Sequence, residues 1–165
     1  MSRRMAAVGS AVFLMLAPGA AAGLVPWLLT RWEAHDVWLP LRALGVLVTA
    51  AGAAVVLHAF ARFVREGIGT PAPVAPPERL VVGGIYRHVR NPMYVAVLAA
   101  ILGQALLLGR VVLLAYAAVL WLVFASFVRF YEEPTLASRF GEDYDAYRRA
   151  VPAWLPRLRP WRPSS

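Results

Sequence analysis

Long apolar runs alternate along this chain with short basic connectors. Residues 5–30, 43–57, 91–109 and 111–128 carry no charged side chain. An uncharged apolar stretch of about 18 residues or more is long enough to cross a bilayer as a helix. Extended to their polar neighbours, the runs predict four spans, at 5–30, 38–63, 93–108 and 111–131. Pro18 and Pro26 are expected to kink the first, and Gly109-Arg110 makes a tight reversal between the last two. The expected fold is therefore all-α, a polytopic membrane helix bundle of about four spans. Residues 1–63 supply two N-terminal transmembrane helices, and 64–165 supply a loop, a helical hairpin and a C-terminal helix of one continuous membrane domain.

The connectors have their own pattern. Between the second and third spans, Pro71, Pro73, Pro76 and Pro77 fix φ and remove donors, so this loop reads as an extended track. Gly67-Ile68-Gly69 lies between a helix and a proline rather than between a strand and a helix, and reads as a hinge, not a nucleotide fingerprint. After the fourth run, Pro134 disfavours helical geometry at Glu133, so the membrane helix is expected to end there. A new helix then begins with Pro134 at its first position, where a missing N–H costs nothing. Leu136, Phe140, Tyr144, Tyr147 and Val151 recur at helical spacing opposite Arg139, Glu142, Asp143, Asp145, Arg148 and Arg149. That pattern predicts an amphipathic helix lying on the membrane face.

Composition agrees with the spans. The chain has 165 residues, 60% of them hydrophobic, and a mean hydropathy of +0.59. All 17 basic residues are arginine. Alternating the loops puts 14 of them on one side and only Arg31, Arg42 and Arg110 on the other, which orients both termini toward the cytoplasm. The net charge of +8 is then loop charge, and no nucleic-acid partner is expected. Arginine, alanine and proline richness suggests a GC-rich bacterial genome, hence a bacterial inner membrane. Arg3-Arg4 followed by an apolar core resembles a signal peptide, but the run continues to Leu29, beyond the usual length. An uncleaved first span is expected. The absence of cysteine excludes disulfides, thiolate metal sites and cysteine nucleophiles, and no metal site is expected.

Two polar clusters then stand out at one membrane face. "GGIYRHVRNPMYV" places Arg87, His88 and Arg90 immediately before an apolar helix. Glu132 and Glu133 end another, where an ionised group must find a cation or water; Arg129, three and four residues upstream, is the local cation. Convergence of the two clusters suggests a site between helices.

Taken together, Gly84-x-Tyr86-x-x-x-Arg90-Asn91-Pro92-x-Tyr94 and Glu132-Glu133-x-x-Leu136-x-x-x-Phe140-Gly141-x-x-Tyr144-x-x-Tyr147, followed by Val151-Pro152 and Pro156, resemble the isoprenylcysteine carboxyl methyltransferase and phospholipid methyltransferase family. The resemblance covers roughly residues 67–156. It implies an integral-membrane enzyme with S-adenosylmethionine as cofactor and a lipophilic or lipid substrate met at the bilayer. It places Leu80, Val81, Tyr86, Asn91, Pro92, Met93, Tyr94 and Glu132 at the cofactor. Arg90 joins them because residues 90–94 open a helix, where free N–H groups and the dipole favour the cofactor's carboxylate. Asn91 stands where many members have histidine; it can donate and accept but cannot titrate near neutrality.

The residues leave the acceptor open. A carboxylate of isoprenylcysteine type needs only a cation to aim it, for which Arg129 is the candidate. In the carboxyl methyltransferases the equivalent arginine lies one position earlier, where this chain has Val128. A phospholipid amine or a thiol would need a base, for which Glu133 is nearest. A non-catalytic membrane protein retaining the fold is the alternative of a different class. If Arg129 and Glu133 are structural, His58 and Arg62 are the remaining polar candidates in the first two spans.

Overall fold

A computed structural model describes residues 16–66 and 80–162, apart from the side chains of Phe60 and residues 62–66. The start of the first expected span, the Pro-rich track with its Gly67-Ile68-Gly69 hinge, and the last three residues lie outside the described residues. Every regular element among the described residues is helical. A π-turn at Ala20–Leu24 leads into α1 (Val25–Thr30), then α2 (Leu39–Glu66), a 3₁₀ turn at Gly84–Arg87, α3 (Pro92–Leu108), α4 (Val112–Phe127), a second π-turn at Val128–Glu132, and α5 (Glu133–Ala150). Within α2 and the run from α4 into α5 are helices long and apolar enough to cross a membrane, and only 17% of each apolar window is buried. The core helix of a soluble protein would be mostly buried. Here Leu39, Leu47, Leu57, Val119 and Leu122 face outward, as lipid-facing side chains do. The helix α3 and the segment Ala20–Thr30 are apolar but shorter.

The elements end where the residues dictate. The αL conformation of Gly109 (φ 63°) caps α3 through its N–H to Ala105 O, giving the reversal expected at this position. Helix α2 runs through to Glu66, past the expected end at residue 63, because nothing between them breaks a helix.

The closest packing joins α2 to α3. A Cβ added at Gly45 would lie 2.5 Å from the backbone N of Leu107; at Gly52 it would lie 2.6 Å from Ala96 O. On the facing helix, one at Gly103 would lie 2.5 Å from Thr49 N. Backbones this close need glycine at the crossing, the small-residue solution to packing without a hydrophobic driving force.

Proline explains both π-turns. Pro26 has no N–H, so it cannot serve Ala22 O in α register or Ala21 O in π register, while Val25 N–H is taken by Ala20 O. Other helices satisfy the two carbonyls left over: Gln104 Nε2 donates to Ala22 O at 2.7 Å and Tyr116 Oη donates to Ala21 O at 2.9 Å. The π-turn thereby becomes the attachment of this segment to α3 and α4.

At Pro134 the expectation fails. Glu132 and Glu133 are both αR, and the chain passes into α5 without a break. Widening at Val128–Glu132, with Glu133 N–H reaching Val128 O, makes room for the proline ring against the preceding turn. The real interruption is Gly141 (φ 52°, ψ −125°), a conformation that favours glycine. The apolar side of α5 is covered by the protein itself: Tyr144, Tyr147 and Val151 pack with Leu80, Val82, Leu136, Phe140 and Trp161.

These contacts set two expectations. Gln104→Leu strands Ala22 O and should lower the unfolding free energy by about 0.5–2 kcal/mol, the range for interhelical hydrogen bonds in membranes. Gly52→Leu should be worse, by about 1–3 kcal/mol of overpacking. Denaturant unfolding of the detergent-solubilised protein measures both.

Candidate functional site

The segment from Arg87 to Asn91 is wrapped by the chain's end. Trp161 N–H donates to Arg87 O, Arg157 N–H donates to His88 O, and Arg90 N–H donates to Pro152 O, each at 2.9 Å. Side chains repeat the pattern. Arg87 Nε donates to Trp161 O (2.6 Å), His88 Nδ1 to Arg157 O (2.8 Å), Arg90 Nε to Val151 O (2.9 Å) and Asn91 Nδ2 to Ala153 O (3.1 Å). Since a carbonyl can only accept, His88 Nδ1 carries a proton. The basic motif therefore first serves to hold residues 151–161 as an ordered strap.

Arg90 reaches further. Its Nη1 donates to Glu133 Oε1 at 2.9 Å and to Tyr144 Oη at 3.2 Å. Glu133 is buried (7% exposed), and its Oε2 also meets Arg148 at 3.2 Å and Arg129 at 3.7 Å. Three guanidinium groups thus surround one carboxylate. The sequence expectation paired Glu133 with Arg129. The structure brings them together loosely, with the Arg129 side chain 66% exposed, and makes Arg90 the buried partner.

One residue upstream, Glu132 turns the other way. Tyr94 Oη donates to Glu132 Oε1 at 2.5 Å. The Tyr94 ring packs on Phe124 (centroids 4.5 Å apart) and near Trp154 (6.5 Å), and Trp154 meets Trp121 edge-on at 6.1 Å. A carboxylate held by a tyrosine that packs among aromatic rings is a chemical match for a compact organic cation.

The other expected cofactor residues are dispersed around this pair. Tyr86 O accepts from Tyr147 Oη at 2.7 Å, and Leu80 packs against the cluster of Tyr144, Tyr147 and Val151, with Val81 half-buried beside it in sequence. Met93 packs on the α3–α4 core, whereas Pro92 faces a groove between α2 and α3. His58 is exposed; the Arg62 side chain lies outside the described residues. Sequence reasoning missed Trp154, Phe124 and Trp121 around Tyr94, and Tyr144 and Arg148 around Glu133. Tyr144 and Arg148 were assigned to opposite sides of the amphipathic helix although their spacing of four puts them on one face, and Trp154 sits in a non-periodic Pro-flanked stretch with no signal of its own.

Comparison with known proteins is specific. The profile of the phospholipid methyltransferase family matches residues 41–143. Over 78 residues the chain is 42% identical to protein-S-isoprenylcysteine O-methyltransferase of Schizosaccharomyces pombe, covering 47% of this chain and 33% of that protein. Protein-S-isoprenylcysteine O-methyltransferase B of Arabidopsis thaliana is 35% identical over 79 residues, 47% of this chain and 40% of that one. A probable protein-S-isoprenylcysteine O-methyltransferase of Oryza sativa subsp. indica is 28% identical over 145 residues, covering 87% of this chain and 72% of that protein. The chain thus spans between a third and two fifths of the length of the first two relatives. No solved structure matches it.

Burial pushes the Tyr144 and Tyr147 phenols above the ordinary tyrosine range, for Tyr144 against the opposing pull of Arg90. Folded chains therefore hold these protons after unfolded ones, titrating near 10, have released them. More protons bound in the folded state means stability falls as pH rises. The thermal midpoint should be level up to about pH 9 and drop above about pH 10. In Tyr147→Phe the drop should be shallower. An equal drop in that variant would assign the alkaline loss to other groups.

Proposed function

The chain belongs to the phospholipid methyltransferase family, and on that ground we propose that it is a membrane methyltransferase moving a methyl group from S-adenosylmethionine to a lipophilic acceptor. The observation that carries this reading is the Tyr94–Glu132 pair under its aromatic rings. It fits the cofactor. A sulfonium or ammonium is matched by the Glu132 carboxylate and by the faces of Tyr94, Phe124 and Trp154. The N–H groups of Met93 and Tyr94, in the first turn of α3, are among the donors without intrahelical acceptors and suit the cofactor carboxylate. Arg90, expected for that carboxylate, is engaged with Glu133, Tyr144 and Val151, so its contribution is to position the elements around the cofactor.

Bound there, S-adenosylmethionine supplies an electrophilic methyl group on a positively charged sulfur. Glu132 balances that charge, and the Tyr94 hydroxyl fixes the carboxylate so that it need not reorganise. Phe124 of α4 and Trp154 of the strap pack near the Tyr94 ring and screen it from water. The chain then has to align an acceptor, and alignment with water exclusion provides most of what such a displacement requires.

The surroundings of Glu133 bear on the acceptor. Both of its oxygens already meet arginines, a poor arrangement for collecting a proton from an amine or thiol. An acceptor that arrives deprotonated is favoured, a carboxylate of the isoprenylcysteine type named in the relatives. The exposed Arg129 guanidinium, one helical turn from Glu133, is placed to orient it. With 14 arginines assigned to this face, the site and both termini lie on the cytoplasmic side.

Glu132→Gln keeps the shape and removes the charge. Calorimetric titration of S-adenosylmethionine into detergent-solubilised protein should show affinity weaker by about 1.5–3 kcal/mol, as for loss of a charge-assisted hydrogen bond. Arg129→Ala should bind cofactor normally and lose transfer to a prenylated cysteine carboxylate. Undiminished cofactor binding by Glu132→Gln would reduce that residue to a helix-end group. A wild-type chain that binds no cofactor would leave the non-catalytic alternative.

A further inference from the structure

On the side of α3 away from Tyr94, the fold leaves a groove of about 510 Å³, within the size range of small-molecule sites. Ala51, Gly52 and Val55 of α2 face Pro92, Ala96 and Ala99 of α3 across it. Its floor is shallow because Gly52 lets the two backbones touch. From Pro92 to Ala99 it runs about 10 Å along the helix axis at 1.5 Å per residue, about two thirds of one leaflet's hydrocarbon depth.

The mouth is different in character. It lies at the N-terminal end of α3 and is formed by His88 and by Pro156, Arg157 and Leu158 of the strap. His88 Nδ1 donates to Arg157 O, so the ring's part at the mouth is to hold the strap and with it the Arg157 side chain. One Arg157 nitrogen, Nη1, is used by Ala150 O, and the remaining N–H groups of its guanidinium are donors. The hydrogen bonds that hold the strap also fix Leu155 and Leu158 in place at 81% and 97% exposure, with Arg159 exposed beside them. Apolar side chains held outward among arginines match a membrane surface that carries negative charge.

We propose that this groove is a binding site for an anionic phospholipid, one acyl chain lying on the small-residue floor between α2 and α3 and the phosphate meeting the Arg157 guanidinium. The lipid is a resident of the fold rather than the methyl acceptor, since Tyr94 and Glu132 lie on the other side of α3. The strap connects the two sites: Trp154 covers Tyr94 on one side, and four residues later Leu158 forms the lip of the groove on the other.

The test uses the purified full-length chain in mild detergent, offered phosphatidylglycerol and phosphatidylcholine with identical acyl chains, with bound lipid read by native mass spectrometry. Phosphatidylglycerol should be retained about fivefold more, as one arginine near an anionic headgroup provides. Arg157→Gln should reduce retention to the phosphatidylcholine level. Ala51→Phe and Ala99→Phe, on two different helices, should each diminish both lipids by filling the groove, with S-adenosylmethionine affinity unchanged. Equal retention of the two lipids by the unaltered protein would overturn the proposal without any variant. So would undiminished retention in folded Ala51→Phe and Ala99→Phe. Loss of cofactor binding in those two variants, with their thermal midpoints preserved, would assign the groove to the cofactor instead. Because lipid and cofactor are read separately, failure of the lipid site leaves the methyltransferase proposal standing, and the reverse holds too.

Discussion

The contact between Arg90 and Glu133, 43 positions apart in sequence, decides how the two halves of the site meet. Each is nearly buried, and each sits at the start of a helix, α3 and α5. Tyr94 lies one turn after Arg90, and Glu132 directly precedes Glu133. Fixing one pair therefore fixes the register of the other and brings the Tyr94 hydroxyl onto the Glu132 carboxylate. Net stabilisation by such a pair is small, because desolvation offsets most of the attraction, whereas removing one member strands a buried charge. Its value here is register. Tyr144, Arg148 and the carbonyl of Val151 complete the hydrogen bonding of the pair, which is how a buried charge becomes tolerable.

Proline in this chain organises helices rather than ending them. Pro26 and Pro134 each come just after a π-turn, and in both the preceding turn widens to accept a ring and a missing donor. At Pro26 the released carbonyls become ligands for Gln104 and Tyr116, and the first span is pinned to its neighbours. At Pro134 the widened turn is Val128–Glu132, the segment that presents Arg129 outward and Glu132 inward. A π-turn shifts the angular position of every later residue in the helix, so consecutive glutamates can serve different partners.

The helices were legible because their cause is local. Runs of uncharged apolar residues gave α3 and α4 to within a residue at nearly every end, and Gly109 marked its own turn. The paired motifs drew attention to Tyr94 and Glu132, which do meet. Pro134 misled, since a local rule about proline was overridden by a widened turn that the sequence does not announce. The partner of Glu133 was equally hidden: Arg129 at helical spacing was the visible choice, and Arg90 becomes nearer only once the residues before α3 fold against the start of α5. Asn91 is similar. The resemblance placed it at the cofactor, and its amide holds Ala153 O, next to Trp154. These contacts depend on folding together residues some 40–80 apart, and no periodicity encodes them.

The dependence of the site on this one pair is most directly tested by a double-mutant cycle with Arg90→Met, Glu133→Leu and their combination, read both as unfolding free energy and as S-adenosylmethionine affinity. Each single change should destabilise by about 3–5 kcal/mol and weaken S-adenosylmethionine binding, although the pocket proposed for it is built on Tyr94 and Glu132, while the combination should cost much less than the sum. Strictly additive losses, or cofactor affinity indifferent to both changes, would contradict the view that a single buried ion pair sets the register of the site.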